Sequence, residues 1–440
     1  MREIPASVKR VLNTLVAHKH QAYIVGGCVR DIIMDVEPHD WDITTSATPD
    51  EVKACFPQTI DTGIKHGTVT VVMDGENFEV TTFRLDGTYE DHRHPEEVSF
   101  TACLVEDLSR RDFHMNAIAM DMDGHITDPF GGKADIAAKQ ITCVGNPNKR
   151  FQEDALRILR AMRFASRLGF EITPNTAQMM HANKGLLRYV SAERIQKEFV
   201  SILCGDYARQ VLMEFRDIIA VIIPEIEACF DCEQNHPSHC YDVYEHIVQS
   251  VYEIPYPDPI LKLAMFFHDI GKPQTRVTDK DGINHFYGHA KVSKDIAETR
   301  MSLLRFDTET KTAVIELVGR HDAEFTPSST FVLHMLNKMG ETQFRRLLEV
   351  RKADVLAQSY LNRQARLDKV ANTKIVLERV LKEQRAFKVK DLAINGDDLI
   401  TAGFLSGPEM GKLLNIMLQA VIDGDLENNK TALLDFAKKQ

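Results

Sequence analysis

The alternation of apolar and polar positions changes rhythm near residue 145. From Tyr23 to about Val144, short apolar runs rich in β-branched residues are separated by turn formers: YIVGG, WDITT, GTVTVVM, FEVTTF, EVSF, AIAMDM and QITCV. Such runs predict strands. Residues 1–20 read as an amphipathic helix ahead of them, and Pro49 to Phe56 as a short helix with Thr48 as its N-cap. Beyond Gly145 the period lengthens to that of a helix. Phe151 to Leu168 is predicted as one helix, with apolar residues at 155, 156, 158, 159, 162 and 164 on one side. Asp154, Arg157, Arg160 and Arg163 run along a neighbouring stripe, each three apart. The helical pattern then continues to the C-terminus. The fold class is therefore α+β: an N-terminal platform of five-stranded type, then an all-helical neck, body and tail.

A chain of 440 residues is long enough for two or more domains. Hydrophobic and charged contents of 44% and 27% are those of an ordinary soluble protein. The absence of a bilayer-length apolar run or a signal peptide predicts a cytoplasmic protein. Eight cysteines, mostly inside apolar segments, suit reduced thiols better than a disulfide framework. Cys229, Cys232, His236, His239 and Cys240 form a zinc-knuckle-like cluster, CFDCEQNHPSHC. No second Cys-x-x-Cys follows, and the segment sits at a helix end before a proline loop, which counts against structural zinc. The net charge of −11 argues against a nucleic-acid binder with a wholly basic surface. Yet Thr342 to Lys390 holds 13 Lys and Arg against 5 Asp and Glu, which suits either a phosphate-tracking surface or a solvated helix face.

The richest chemistry lies between Ala22 and Thr45, AYIVGGCVRDIIMDVEPHDWDITT. Gly26 and Gly27 lack a Cβ, so backbone can approach a phosphate. Asp40 and Asp42, two apart on a predicted strand, point to one face. Paired carboxylates beside a phosphate-sized turn are what two-metal phosphoryl or nucleotidyl transfer requires. No Gly-Lys-Ser/Thr follows, which excludes a P-loop, and no third glycine stands at dinucleotide-fold spacing. The strand Asn77 to Phe83 offers Glu79 as a third metal-side carboxylate. Arg110 and Arg111 are candidates to grip phosphate or a ribose hydroxyl, their alternative being ion pairs with Asp107 or Asp112. Asp86 to Val98 is a polar stretch, long for a hairpin connection, and reads as a flexible loop near the site.

Asp154 and Arg157 suggest how a base would be chosen. Cytosine and adenine both present an exocyclic amine donor beside a ring-nitrogen acceptor. A carboxylate accepts only and a guanidinium donates only, so an Asp154–Arg157 pair matches either base. Guanine and uracil present the reverse order and are refused.

Together GGCVRD, HDWDI, TGIKHGTVTV, VTTFR, DGTYEDHRHP, SRRDFHMNA, DPFGG and RFQEDALRILRAMRFASRLGF resemble the bacterial class II tRNA nucleotidyltransferase and poly(A) polymerase family, in the polymerase-beta-like superfamily. The resemblance covers nearly all of the first 170 residues, with the CCA-adding branch the best match. It implies a nucleotidyltransferase palm over residues 1–145, a base-recognising neck over 146–232, an HD-type helical domain over 233–356 and a tRNA-binding tail over 357–440. Asp40 and Asp42 would carry Mg²⁺ with Glu79 in support. Gly26, Gly27 and Arg30 would hold the triphosphate, Arg111 would contact the nucleotide, and Asp154 and Arg157 would read the base, with Arg160 and Arg163 helping. The implied reaction adds C, C and A to the 3′ end of tRNA from CTP and ATP, without a template. Poly(A) synthesis and A-only addition remain as alternatives within the family. A metal-dependent hydrolase and a non-catalytic RNA-binding protein remain from outside it.

DVYEHIV, FFHDIGKP, GHAKVS, GRHDAEF and RKADVLAQ resemble the HD phosphohydrolase superfamily. The resemblance implies a second divalent-metal site on His246, His268, Asp269 and Asp354, with His289 and His321 as extra ligands. Fold likeness does not imply activity there.

Overall fold

A computed structural model describes residues 3–86 and 98–439. The chain forms two compact units, Met1–Pro224 and Glu225–Gln440.

In the first unit, α1 (Ala6–Ala17) buries Val8, Val11, Leu12 and Leu15, one helical face. β1 (Ala22–Val25), α2 (Gly27–Ile33), β2 (Asp42–Thr45), α3 (Pro49–Cys55), β3 (Thr59–Gly63), β4 (Thr68–Met73) and β5 (Glu76–Thr82) follow. Thr48 does cap α3, in a reciprocal capping box with Glu51. Next come β6 (Arg84–Asp86), β7 (Val98–Phe100), α4 (Leu104–Ser109), β8 (Ala119–Met120) and β9 (Ile126–Thr127). The main sheet has seven strands rather than the five expected, in the order β3-β4-β5-β2-β1-β8-β9. β3 escaped the sequence pattern because it has no buried residue and no apolar alternation. EVSF joins no main sheet; its strand β7 pairs with β6 as a separate hairpin. The stretch 87–97 of the expected loop lies outside the described residues.

α5 (Gly132–Ala138), β10 (Gln140–Ile141), α6 (Pro147–Glu153), α7 (Leu156–Leu168), β11 (Glu171–Ile172), α8 (Pro174–Asn183) and α9 (Ala192–Leu203) complete most of this unit, with α7 against α9. The single helix expected from Phe151 to Leu168 is broken. Asp154 adopts extended backbone, φ −142 and ψ 102, and its Oδ1 accepts the Leu156 N–H at 3.1 Å. A short acceptor that satisfies a helix-start donor is a natural break point.

The second unit is helical but for a small hairpin, Arg276–Thr278 with Asn284–Phe286, so it is not all-helical as expected. Val243–Tyr252 opens on an Asp242–Glu245 capping box. Pro259–Phe267 is buried almost all round and ends at His268. His289–Leu303, Thr308–Val318, Ser329–Leu356 and Arg363–Lys382 follow. Gly340 interrupts the long Ser329–Leu356 helix at φ 77, a left-handed conformation that a side chain disfavours. Within the basic stretch, Arg345 pairs with Glu341 and Glu378, Arg351 with Asp354 and Lys374 with Glu349. Of these acids only Glu341 lies outside the stretch, so its positive excess remains largely unbalanced by these pairs. All eight cysteines are free. Cys229 donates toward the Ile270 carbonyl at 3.7 Å, and among the described residues no three-ligand cluster contains a cysteine. No helix among them is long and apolar enough to cross a membrane.

Candidate active site

Gly26 joins β1 to α2 at φ 80. That left-handed φ favours glycine, and a Cβ there would stand 3.1 Å from Arg111 Nη1, crowding the guanidinium. Asp42 opens β2, whereas Asp40 lies two residues ahead of it in the approach loop and not on the strand as expected. Both are exposed. Partial burial raises the Asp42 carboxyl, Arg111 pulls it down and the charge of Asp40 pushes it up again. Two carboxylates two residues apart on an open face offer oxygen donors suited to a hard divalent cation. Glu79 is the parallel-ladder partner of Asp42. It lines, with Asp40 and Asp42, an open cleft of about 830 Å³. Among the described residues these three carboxylates do not form a group with donor atoms within 4.8 Å of one another.

On its other side Asp42 borders a second cavity, of about 440 Å³, within the size range of small-ligand sites. Gly26, Gly27, Arg30, Arg111, Asp154, Arg157, Arg160 and Arg163 all line it, and so do Asp112, Asn116, Phe164 and Arg194. Asp154 and Arg157 therefore share a cavity with Asp42, and the side chain of each is held by other partners. Arg157 donates to Glu153 at 3.0 Å, to the Arg150 carbonyl at 3.2 Å and to the Arg110 carbonyl at 3.0 Å. Asp154 holds Arg194 through both oxygens, at 2.7 and 3.3 Å. With Leu156 N–H that makes three donors, against the roughly four lone-pair sites of a carboxylate, so accepting capacity remains.

Each arginine of the cavity has an acidic partner. Arg30 pairs with Asp31 at 2.7 Å, Arg111 with Asp107 at 3.5 Å and Arg157 with Glu153. Arg160 pairs with Asp112 at 2.6 Å, Arg163 with Glu198 at 2.8 Å and Arg194 with Asp154. Arg110, by contrast, does not line the cavity and binds the buried Asp107 at 2.8 Å, the alternative its sequence context allowed. Arg30, Arg160 and Arg163 also stand 5.4, 5.5 and 4.4 Å from the ring centre of Phe164, within cation–π range.

Sequence reading named Asp112 only as a possible ion-pair partner, and did not single out Asn116, Glu153, Phe164, Arg194 or Glu198. Asp112, Asn116, Glu153 and Phe164 lie inside motifs already quoted. Arg194 and Glu198 sit on α9, where nothing local marks them. Asp112 links the parts: its Oδ1 accepts from Asn116, which in turn accepts from Arg30 at 3.0 Å, while its Oδ2 takes Arg160. Burial opposes the charge of Asp112, but Arg160 and Asn116 outweigh it and hold the carboxyl down at about 2. A lowered folded-state value means this stabilisation is complete above about pH 4 and is lost as pH falls toward 2. A depression from 3.8 to about 2 corresponds to about 2 kcal/mol. Asp112→Asn is expected to lower the unfolding free energy of the first unit by about that much at pH 7, with the gap narrowing toward pH 3. Urea titrations at both pH values check it.

In the second unit the HD-pattern residues converge. His246 Nε2 is 3.2 Å from both Asp269 Oδ2 and Asp354 Oδ1, and His268 Nε2 is 3.3 Å from Asp269 Oδ2. His289 and His321 approach Asp269 from the other side. The Nδ1 atoms of His246, His268, His289 and His321 face the carbonyls of Ala357, Met265, Phe286 and Val318 at 3.2, 2.6, 2.8 and 2.7 Å. Each Nδ1 must be the N–H, because a carbonyl accepts only, so every Nε2 turns inward. This is the tautomer of a metal-ligating histidine.

Residues 22–142 match the family profile described as Poly A polymerase head domain. Residues 169–230 match a probable RNA- and SrmB-binding site of polymerase A, and 278–437 a putative tRNA nucleotidyltransferase domain 2. The chain is 36% identical over 427 residues to a CCA-adding enzyme of Lactobacillus helveticus, covering 96% of this chain and 94% of that one. It is 34% identical to one from Limosilactobacillus reuteri, covering 99% and 97%. Among solved structures, the Bacillus stearothermophilus CCA-adding enzyme in complex with CTP superimposes with a TM-score of 0.76 at 29% identity, covering 98% and 96%. With likeness running along the whole length of both chains, this protein belongs to the CCA-adding enzyme family.

Proposed function

We propose that this chain adds C, C and A in turn to the 3′ end of tRNA, taking CTP and ATP, releasing pyrophosphate and using no nucleic-acid template. The observation that carries the reading is the cavity where Gly26, Asp42, Asp154 and the ring of arginines meet. Family membership implies a divalent metal, and we assign it as Mg²⁺ on Asp40 and Asp42, with Glu79 supporting from β5. When bound, the metal supplies activation of the terminal ribose hydroxyl and neutralisation of charge on the triphosphate. Gly26, Gly27 and Arg30 seat the triphosphate, and Arg111 and Arg163 hold the nucleotide. Asp154 accepts from the base's exocyclic amine while Arg157 donates to its ring nitrogen, and Arg160 steadies the base from α7. The 3′ oxygen then bonds to the α-phosphorus as the bond to pyrophosphate breaks.

Residues 1–145 form the metal-bearing palm in this reading and 146–232 the base-recognising neck, with the HD-type segment at 233–356 and the tail at 357–440. The basic stretch Thr342–Lys390 touches tRNA backbone, setting position without reading sequence. The reaction takes place in the cytoplasm. The decisive assay gives tRNA lacking its 3′ end each labelled nucleoside triphosphate, singly and in pairs. The expected products are two additions from CTP alone, a third only when ATP joins it, and none from UTP or GTP. A ladder of A from ATP alone on any RNA would show a poly(A) polymerase instead.

A second reading concerns the helical unit. The inward-turned imidazoles favour a divalent metal on His246, His268, Asp269 and Asp354. This reading extends to a metal and not to a reaction.

A further inference from the structure

We propose that Arg194 on α9 is a specificity-determining positioning residue: its guanidinium fixes the plane of the Asp154 carboxylate and so keeps one acceptor aimed at the incoming base. The inference rests on the preceding reading that Asp154 reads the base. Asp154 lies at the break between α6 and α7 on extended backbone, so the regular turn of a helix does not hold its side chain. Arg194 supplies that hold from another helix, Nη2 to Oδ2 at 2.7 Å and Nη1 to Oδ1 at 3.3 Å. A two-pronged contact keeps guanidinium and carboxylate near one plane, which a single hydrogen bond does not. Leu156 N–H also reaches Oδ1, at 3.1 Å, but one donor leaves the carboxylate free to turn about its Cβ–Cγ bond.

Neither helix formation nor packing accounts for an arginine at this position. Arg194 stands in the first turn of α9, just after the N-cap Ser191. That end of a helix is electropositive and disfavours a cation. Ile195, Phe199, Ile202 and Leu203 are the buried apolar residues that seat α9. The side chains of Arg194 and Asp154 stay 27% and 17% exposed, and both line the cavity. An ion pair this open adds little to stability. What it adds is direction.

Direction decides the chemistry of choice. The Arg194 fork and Leu156 N–H occupy most of the acceptor sites of Asp154. With the plane fixed, the acceptor that remains meets the exocyclic amine of C or A, and a carbonyl of U or G in the same place finds no proton. A carboxylate free to turn would accept the ring N–H of U or G instead, and the refusal would be lost. Glu198, one turn further along α9, provides a contrast. It stands 2.8 Å from Arg163, whose assigned contact is to the nucleotide whatever its base.

The test is competition between CTP and UTP on tRNA lacking its 3′ end, using the full chain with Arg194→Ala, Arg194→Lys, Asp154→Ala, the Arg194→Ala/Asp154→Ala double variant, and Glu198→Gln. Arg194→Ala is expected to lower the CTP-over-UTP ratio of kcat/KM by about tenfold. Arg194→Lys should lower it nearly as much, since an ammonium keeps the charge and loses the fork, with the melting temperature unchanged. If Arg194→Ala loses its circular-dichroism signal, Arg194→Lys alone decides. The double variant should show the ratio of Asp154→Ala and no further fall, because Arg194 acts only through that carboxylate. Glu198→Gln should raise KM for CTP and UTP alike and leave their ratio as it was. A parental ratio in Arg194→Lys beside a fall in Asp154→Ala would overturn the proposal and leave the base-reading role of Asp154 standing. So would an equal rise in KM for both nucleotides in Arg194→Ala, the mark of direct contact, a further fall in the double variant, or a fall in Glu198→Gln, the mark of a loosened helix. No fall in Asp154→Ala would overturn both.

Discussion

Asp42→Ala is expected to lower nucleotide incorporation by about a thousandfold, a loss of about 4 kcal/mol of transition-state stabilisation, while tRNA binding is unchanged. Asp42 borders both the cleft shared with Asp40 and Glu79 and the cavity lined by the arginines, so no other carboxylate can take its place. Asp40→Ala should cost nearly as much. Glu79→Ala should cost less, because in the proposed reading Glu79 supports the metal from the neighbouring strand and is not one of the two carboxylates that carry it. Folding stability separates loss of chemistry from loss of structure. Burial and the charge of Asp40 already oppose ionisation of Asp42, so its removal should not lower the melting temperature. Single-turnover incorporation and filter binding on the same preparation check both halves. A rate that stays within tenfold of the parent would place the metal elsewhere.

Asp154→Ala should collapse the choice between bases. With the carboxylate gone, Arg194 loses its partner and the exocyclic amine of C or A meets no acceptor. The penalty against uracil and guanine then disappears with it. The ratio of kcat/KM for CTP over UTP is expected to fall by about a hundredfold or more, within the range that buried polar mismatches supply. Asp154→Asn should fall in the same direction, because an amide can turn a donor toward the amine. Competition between labelled CTP and UTP on one tRNA reads the ratio directly. A lower rate with an unchanged ratio would reduce Asp154 to a structural break between α6 and α7.

Much of this site was legible because its parts sit close together in the chain. The Gly26–Gly27 turn, Asp40 with Asp42, and the motif around Arg111 can each be read over a few residues, and the structure brings Gly26, Arg111 and Asp42 together around one backbone approach. The break at Asp154 was not legible. Phe151, Ala155, Leu156, Ile158 and Leu159 are all buried, so the apolar rhythm runs through the interruption without a missing beat. What signals it is a side-chain hydrogen bond, which periodicity does not record. Arg194 and Glu198 were invisible for another reason. Their roles come from α9 packing on α7, and nothing near them in sequence carries that information. In the second unit the His-Asp dyad pointed to five segments that the structure brings together around Asp269, and how they converge is a matter of three-dimensional placement.

The pairing of the cavity's arginines has a thermodynamic consequence. Six long side chains, each normally costing up to about 2 kcal/mol of rotamer freedom to immobilise, are already anchored by Asp31, Asp107, Glu153, Asp112, Glu198 and Asp154. The entropy of ordering them is spent during folding, not at each encounter with a triphosphate. Under the proposed function, successive nucleotides would enter a mould that is already set, and discrimination among them would fall to fit.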